Sequence, residues 1–281
     1  MVIGRGKIGD RCLLPAGPVA GGRIRPADGS FCTTLIAMAK DADRLRVVLV
    51  GPRNPLNIGA AARAMSNFGF LRMRVVNPYE VAFREARSAV AAAPLLKAAE
   101  EFSTVAEAVA DCTLVVGTTA VQHRELQHPL RPLDRGARII RKELATNRVA
   151  LLFGSEKTGL SNDDLSYCHW LMHVPTRRQH LSMNLGQAVA VCLYELARAT
   201  KKPATKEKAG KRATAVEVER ISQVLIEALH GSGYVKPNAV AATEERVRRM
   251  VRRMELSLED AELWLGMLRQ MLWKIRAESD Q

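Results

Sequence analysis

Three short stretches of this sequence carry side chains whose types and spacing suit chemistry on a polyanion. The first is Asn57-Ile58-Gly59-Ala60-Ala61-Ala62-Arg63, which follows an apolar run ending at Val50. Asn57 is placed to cap a helix, and the small residues Gly59 to Ala62 let a ligand approach its first turn, where free N–H groups favour a phosphate. Arg63, one turn in, lies off the apolar stripe of Ile58, Ala61, Met65 and Phe68 and is available to the same ligand. The second stretch, Phe153-Gly154-Ser155-Glu156-Lys157-Thr158-Gly159-Leu160-Ser161, ends an apolar strand at Gly154 and offers the Glu156 carboxylate just beyond. In parallel α/β sheets ligands bind at that end of the strands. The third runs from His173-Val174-Pro175 through Leu181-Ser182-Met183-Asn184 into an apolar helix containing Gly186 and Gln187.

Each stretch also has a plainer reading. Asn57 is then only a cap, Glu156 a solvated carboxylate in a β-turn before a helix capped by Ser161, and Asn184 with Gln187 a capping box. Two further signals are weaker. Gly4-Arg5-Gly6-Lys7-Ile8-Gly9 fits G-x-G-x-x-G, but only three residues precede it, so no strand feeds the turn. Cys168, His169 and His173 lie close together without a fourth ligand at suitable spacing, so they read as core or surface residues and no metal is expected.

The elements that must hold these loops alternate between β-branched runs and helical patterns, the pattern of parallel strands with crossover helices. Strands are predicted at Leu45 to Val50, Met73 to Val76, Leu114 to Gly117, Val149 to Phe153 and Leu171 to Val174. Helices are predicted at Ile58 to Phe68, Thr104 to Ala110, Arg135 to Thr146 and Leu185 to Ala199. From Arg198 to Arg212 come Arg198, Lys201, Lys202, Lys206, Lys208, Lys211 and Arg212 against one acid, Glu207, which reads as a basic linker. Thr214 and Glu217 then form a capping box for a helix with Val218, Ile221, Leu225 and Ala228 on one face and Gly231 as its stop. A second tail helix has Val247, Met250, Val251 and Met254 on one stripe, with Arg246, Arg248, Arg249, Arg252 and Arg253 around the rest. A third begins near Ser257 and continues through Trp264, Leu268 and Met271.

Composition narrows the partner. The 281 residues hold 42 Lys and Arg against 29 Asp and Glu, a formal charge of +13, and a pI of about 9.9 points to a polyanion. RNA, DNA and an acidic membrane surface all suit that charge, but no apolar run is long enough to span a bilayer, so no membrane span is expected. Five scattered cysteines, Cys12, Cys32, Cys112, Cys168 and Cys192, include no C-x-x-C pair, which fits a reducing, cytoplasmic compartment. The first forty residues lack the apolar core of a signal peptide and read as a disordered arm. Because Met38 opens a polar lead into the first strong strand, a start at Met38 is the alternative.

Taken together and in this order, N-x-G-x-x-x-R, F-G-x-E-x-x-G-L and S-M-N-L-G-Q-A-V resemble the three motifs of the SpoU/TrmH family of RNA ribose 2′-O-methyltransferases in the SPOUT superfamily, over Arg46 to Ala197. The resemblance implies an α/β parallel-sheet domain with a C-terminal trefoil knot, S-adenosylmethionine bound between knot loops, and a homodimer with active sites at the interface. With the tail, the expected division is a disordered arm over 1–43, the SPOUT domain over 44–200, the basic linker over 201–213 and a small all-α RNA-binding unit over 214–281.

Carried onto this sequence, the family's donor pocket comprises Thr119, Ala120, Val121, Gly154, Val174, Leu181, Ser182 and Met183, largely through backbone groups. Its catalytic set falls on Asn57, Arg63, Glu156, Ser182 and Asn184. Val121 departs from the arginine that related tRNA-acting members often have after this stretch, with His123 or Arg124 as substitutes. The resemblance implies attack of a ribose 2′-oxygen on a sulfonium methyl. Arg63 would hold a substrate phosphate beside that hydroxyl rather than act as a base, Ser182 and Asn184 would orient ribose and donor, and Glu156 would either hold the loop or bind substrate hydroxyls. The basic helical tail is similar to that of the branch that methylates position 32 of the tRNA anticodon loop. Ribosomal RNA as substrate and a non-catalytic RNA-binding factor are the alternatives.

Overall fold

The structure, a computed structural model, describes residues 41–88, 93–120, 127–177, 179, 182–198 and 211–279. The glycine-rich stretch at Gly4 to Gly9, the arm up to residue 40 and residues 201–210 of the basic linker lie outside them, as do Val121, His123, Arg124 and Leu181 of the expected substrate and donor loops.

Seven strands alternate with helices along the chain: β1 (Leu45–Val50), α1 (Pro55–Phe68), β2 (Met73–Val76), α2 (Glu80–Ser88), α3 (Ala93–Lys97), β3 (Glu100–Phe102), α4 (Val105–Val109), β4 (Leu114–Thr118), β5 (Leu130–Pro132), α5 (Leu133–Leu144), β6 (Val149–Phe153), α6 (Asn162–Ser166), β7 (Trp170–His173) and α7 (Leu185–Ala197). The strands form one sheet in the order β3-β2-β1-β6-β4-β7-β5, with every neighbouring pair parallel. Such a sheet is covered on both faces, which is why β6 reads as an unbroken apolar run and β1 as one broken only by Arg46.

Successive residues serve opposite cores. Val47 and Leu49 of β1, with Leu151 and Phe153 of β6, pack under α1, α5 and α7. Val48 and Val50, with Ala150 and Leu152, pack under α4 and α6. Among the described residues no helix is long and apolar enough to cross a membrane.

On the α4 face near the start of the strands, two arginines are buried: Arg46 and Arg74 are each 8% exposed. Asp111 serves both, accepting from Arg74 Nη1 at 2.5 Å and Nη2 at 3.2 Å and lying 3.7 Å from Arg46.

Beyond the sheet, α8 (Ala215–Gly231), α9 (Val240–Arg253) and α10 (Leu258–Ser279) gather around Val218, Ile221, Val247, Val251, Ala261 and Leu268. Thr214 and Glu217 form the predicted capping box. The predicted stripes need correction: Met250 and Met254 are 43% and 42% exposed, and on α10 it is Leu272 rather than Met271 that joins Leu268 inside. Residues 211–213 also belong to this unit, since Leu258 N donates to Lys211 O and Ala213 N to Leu256 O.

The arginines of α9 are divided. Arg252 is 1% exposed and donates to Glu219 at 3.2 Å, Arg248 binds Glu219, Asp163 and Ser166, and Arg249 binds Glu245 and Gln127. Only Arg246 and Arg253 of the five are exposed. Three of the five arginines that give this helix its basic character are therefore engaged inside the protein.

Candidate active site

The site forms where β1 and β6, neighbours in the sheet, give way to loops. Gly51 turns the chain out of β1 with φ +57, a region that glycine enters without strain. Asn54 then caps α1, its side chain accepting from Leu56 N at 2.9 Å, with Pro55 as the first helical residue. This corrects the expected role of Asn57. Proline at the first helical position makes the residue before it the natural cap, so the helix begins three residues earlier and Gly59 to Ala62 lie beyond its first turn. What approaches them is protein: a side chain at Gly186 of α7 would sit 2.5 Å from Ala60 Cβ.

Released from capping, Asn57 joins the other two motifs. Its Nδ2 donates to Glu156 Oε1 at 3.0 Å, and its Oδ1 accepts from Asn184 Nδ2 at 2.7 Å. Asn184 Oδ1 in turn accepts from Gly186 N at 2.9 Å and Gln187 N at 3.4 Å, capping α7. Glu156 also accepts from Arg53 N at 3.2 Å and Asn54 N at 3.3 Å. An ionised carboxylate only accepts. The chain of bonds therefore assigns both amide orientations, from carboxylate to helix start.

Burial would raise the Glu156 pKa, but the Asn57 amide and the backbone N–H groups of Glu156, Arg53 and Asn54 outweigh it and hold the carboxyl below its ordinary 4.5. Glu156 is thus an anion at neutral pH, and it positions the first motif rather than supplying a proton. Replacing it with Gln exchanges a charged acceptor of three neighbours for an amide with one acceptor oxygen. Loss of a charge-assisted bond is worth about 1.5–3 kcal/mol, so Glu156→Gln is expected to lower the activity of the site about 10- to 100-fold while the protein stays folded. Steady-state rates with circular dichroism check this, and an unchanged rate would remove Glu156 from the working site.

Of the expected donor-pocket residues, Thr119, Ala120, Gly154 and Val174 follow the ends of the neighbouring strands β4, β6 and β7. Thr119 N donates to Met172 O at 3.0 Å, joining the exits of β4 and β7, and Thr118 Oγ1 donates to Leu152 O of β6 at 2.8 Å. Gly154 has no room for a side chain: its Cβ would lie 2.1 Å from Gly159 C and 2.2 Å from Leu160 N. The loop carrying Glu156 closes tightly back on the end of β6. Val174 and Met183 are half-buried, whereas Ala120 and Ser182 are exposed.

Arg63 does not join the Glu156 network. It lies exposed on α1 with Leu56 and Ala60, and no carboxylate among the described residues pairs with it. The contributions of Arg53 and Asn54 were missed from sequence, although Asn54-Pro55 carried a readable helix-start signal. The Cys168-His169-His173 group forms no site. His169 Nδ1 accepts from Val115 N at 3.1 Å, and burial first, then the Arg252 charge, push its pKa down to about 3, so it is a neutral core residue.

Comparison with known proteins adds three findings. Residues 44–194 match the SpoU rRNA Methylase family. A tRNA (cytidine/uridine-2′-O-)-methyltransferase TrmJ from Sodalis glossinidius is 34% identical, covering 80% of this chain and 89% of its own, and a tRNA (cytidine/uridine/adenosine-2′-O-)-methyltransferase TrmJ from Pseudomonas aeruginosa is 33% identical, covering 80% and 93%. The crystal structure of TrmJ from Z. mobilis superposes with a TM-score of 0.71 at 30% identity, covering 80% of this chain and 98% of the other.

Proposed function

The chain belongs to the SpoU rRNA Methylase family and is an RNA 2′-O-methyltransferase that uses S-adenosylmethionine, and from that premise we propose that its substrate is tRNA, methylated on the ribose at position 32 of the anticodon loop. The observation that carries this reading is the bonded path from Glu156 through Asn57 to Asn184, which joins the three motif loops at the C-terminal edge of the sheet. The tRNA-acting relatives, matched along most of their length, support the substrate, and the helical unit after residue 211 supports the branch.

The residues suit the donor. Backbone groups at Thr119 and Gly154 and the half-buried Val174 and Met183 offer polar main chain and apolar contact for a nucleoside, and the ionised Glu156 adds negative charge to the region that takes a sulfonium cation. When bound, S-adenosylmethionine supplies an electrophilic methyl group. Arg63 grips a substrate phosphate so that the adjacent 2′-hydroxyl is held and its developing negative charge is stabilised. Ser182 and Asn184 orient the ribose, and Glu156 keeps Asn57 and Asn184 in register.

The reading extends to architecture. We assign a methyltransferase domain over 44–200 with a trefoil knot in its C-terminal part, a basic linker over 201–210 and an RNA-binding helical unit over 211–281. The close approach of Gly154 to Gly159 supports a tight loop of the kind a knot requires. We further assign a homodimer. Leu56, 79% exposed on the face that carries Arg63, is an apolar side chain that a second copy would cover, bringing Arg63 to the interface. The buried thiols Cys112, Cys168 and Cys192 are unpaired, which supports the cytoplasm as the compartment.

The test is transfer of labelled methyl from S-adenosylmethionine to total tRNA and, separately, to ribosomal RNA, with the labelled nucleoside identified. Label in tRNA ribose at position 32 is the expected result. Label confined to ribosomal RNA would overturn the substrate, and no label in either would leave an RNA-binding factor.

A further inference from the structure

The helical unit meets the α/β part through an ionic seam that the chemistry does not use. Tyr167 follows α6, which itself follows the Glu156 loop, and Cys168 and His169 then lead into β7. The guanidinium of Arg248 lies 4.6 Å from the Tyr167 ring centroid and that of Arg252 lies 5.6 Å from it. Behind them Glu219 of α8 accepts from Arg248 Nε at 3.1 Å and from Arg252 Nη2 at 3.2 Å. Arg248 Nη1 reaches across to Ser166 Oγ at 3.0 Å and Asp163 Oδ1 at 3.3 Å. The start of α8 is tied to the same part of the sheet, with Ala215 N donating to Cys112 O at 2.7 Å and Val216 N to Ala110 O at 3.1 Å.

Such a seam is a poor way to gain stability. Arg252 has lost its water, and its Nε and Nη1 have no hydrogen-bond partner. Apolar packing of the same volume is often as stable or more so. What directional bonds and a ring wedged beside two cations supply is a single orientation. That orientation matters for the rest of the helix. Arg248 and Arg252, one turn apart, occupy the docked face of α9, and the exposed Arg246 and Arg253, seven residues apart, share the opposite face. Rotation or release of α9 would redirect the two cations left for a phosphate.

We infer that Tyr167, with Arg248, Arg252 and Glu219, is a positioning residue that sets where the helical unit presents bound RNA relative to the Glu156 loop. The inference rests on the reading of the chain as a tRNA methyltransferase whose helical unit binds RNA. Tyr167 carries no charge for a phosphate, so an effect of its loss on RNA recognition reports geometry rather than a missing contact.

The experiment compares full-length wild type, Tyr167→Leu and Tyr167→Phe by steady-state methylation of tRNA and by calorimetric binding of S-adenosylmethionine. Tyr167→Leu is expected to raise the KM for tRNA about tenfold, with kcat and donor affinity held within about twofold. Tyr167→Phe keeps the ring and is expected to match wild type. An unchanged KM in Tyr167→Leu overturns the inference. So does a joint loss of kcat, donor affinity and KM, the signature of general structural damage, or a Tyr167→Phe as impaired as Tyr167→Leu. Wild type that transfers no label to tRNA would instead overturn the functional reading beneath it, so the two failures are distinct.

Discussion

Arg63→Ala is expected to lower the rate of methyl transfer about 100- to 1000-fold, the loss typical when one preorganised electrostatic partner of a transition state is removed. The side chain stands exposed on α1, and no carboxylate among the described residues neutralises it. A guanidinium serves badly as a base, so on the proposed mechanism the contribution of Arg63 is charge and position. Because the side chain is exposed on the protomer, the variant should fold normally, with stability changed by about 0.5 kcal/mol or less. Arg63→Lys keeps the charge but not the two-pronged grip on a phosphate, and should recover only part of the rate. Single-turnover methylation with saturating donor, beside a thermal unfolding curve, separates the two effects. A wild-type rate in Arg63→Ala would remove this residue from the mechanism.

At the other end of the sheet, Asp111→Ala is expected to destabilise the protein by about 3–5 kcal/mol, the usual consequence of leaving buried charge without its partner. Asp111 stands between Arg46 and Arg74, each 8% exposed, and reaches the more open Arg148 at 3.3 Å. Glu100 accepts from Arg74 at 2.9 Å and gives it partial relief, whereas Arg46 already has an unsatisfied Nε.

The pH dependence follows from the same contacts. Burial raises the Asp111 pKa, but the hydrogen bond and charge of Arg74, with the charge of Arg46, outweigh it and hold the carboxyl below its ordinary 3.8. A folded-state pKa below the unfolded value makes the stabilisation complete above that value and removes it as pH falls through the lower one. The deficit of Asp111→Ala relative to wild type should therefore be full at neutral pH and shrink below about pH 4. Denaturant midpoints across that range check both points. Equal midpoints at pH 7 would show that the two arginines find other partners.

Legibility of the fold followed burial. The strands β1, β2 and β6 have the limits predicted for them, since both faces are covered and their apolar runs are broken only by the buried Arg46 and Arg74. The edge strands β3, Glu100-Glu101-Phe102, and β5, Leu130-Arg131-Pro132, escaped prediction because three residues each, with three of the six charged, carry no periodicity. The helix α9 shows a different limit. Composition announces five arginines there, but not that Glu219 from α8 and Tyr167 from the α/β part engage two of them.

By itself the sequence determined the parallel α/β class, the order of the three motif loops and the basic character of the tail, because each depends on residue type or local spacing. Only the tertiary structure decided how those residues combine. Asn57 and Glu156 lie 99 positions apart, and Asn57 and Asn184 lie 127 apart. The sheet order that sets β1 beside β6, and the packing of Gly186 against Ala60, bring them within bonding distance. Asn54-Pro55 had set the helix cap locally, and the packing then drew the free Asn57 into the network that Glu156 anchors. Such choices depend on which donors and acceptors meet after folding, and local spacing carries no record of that.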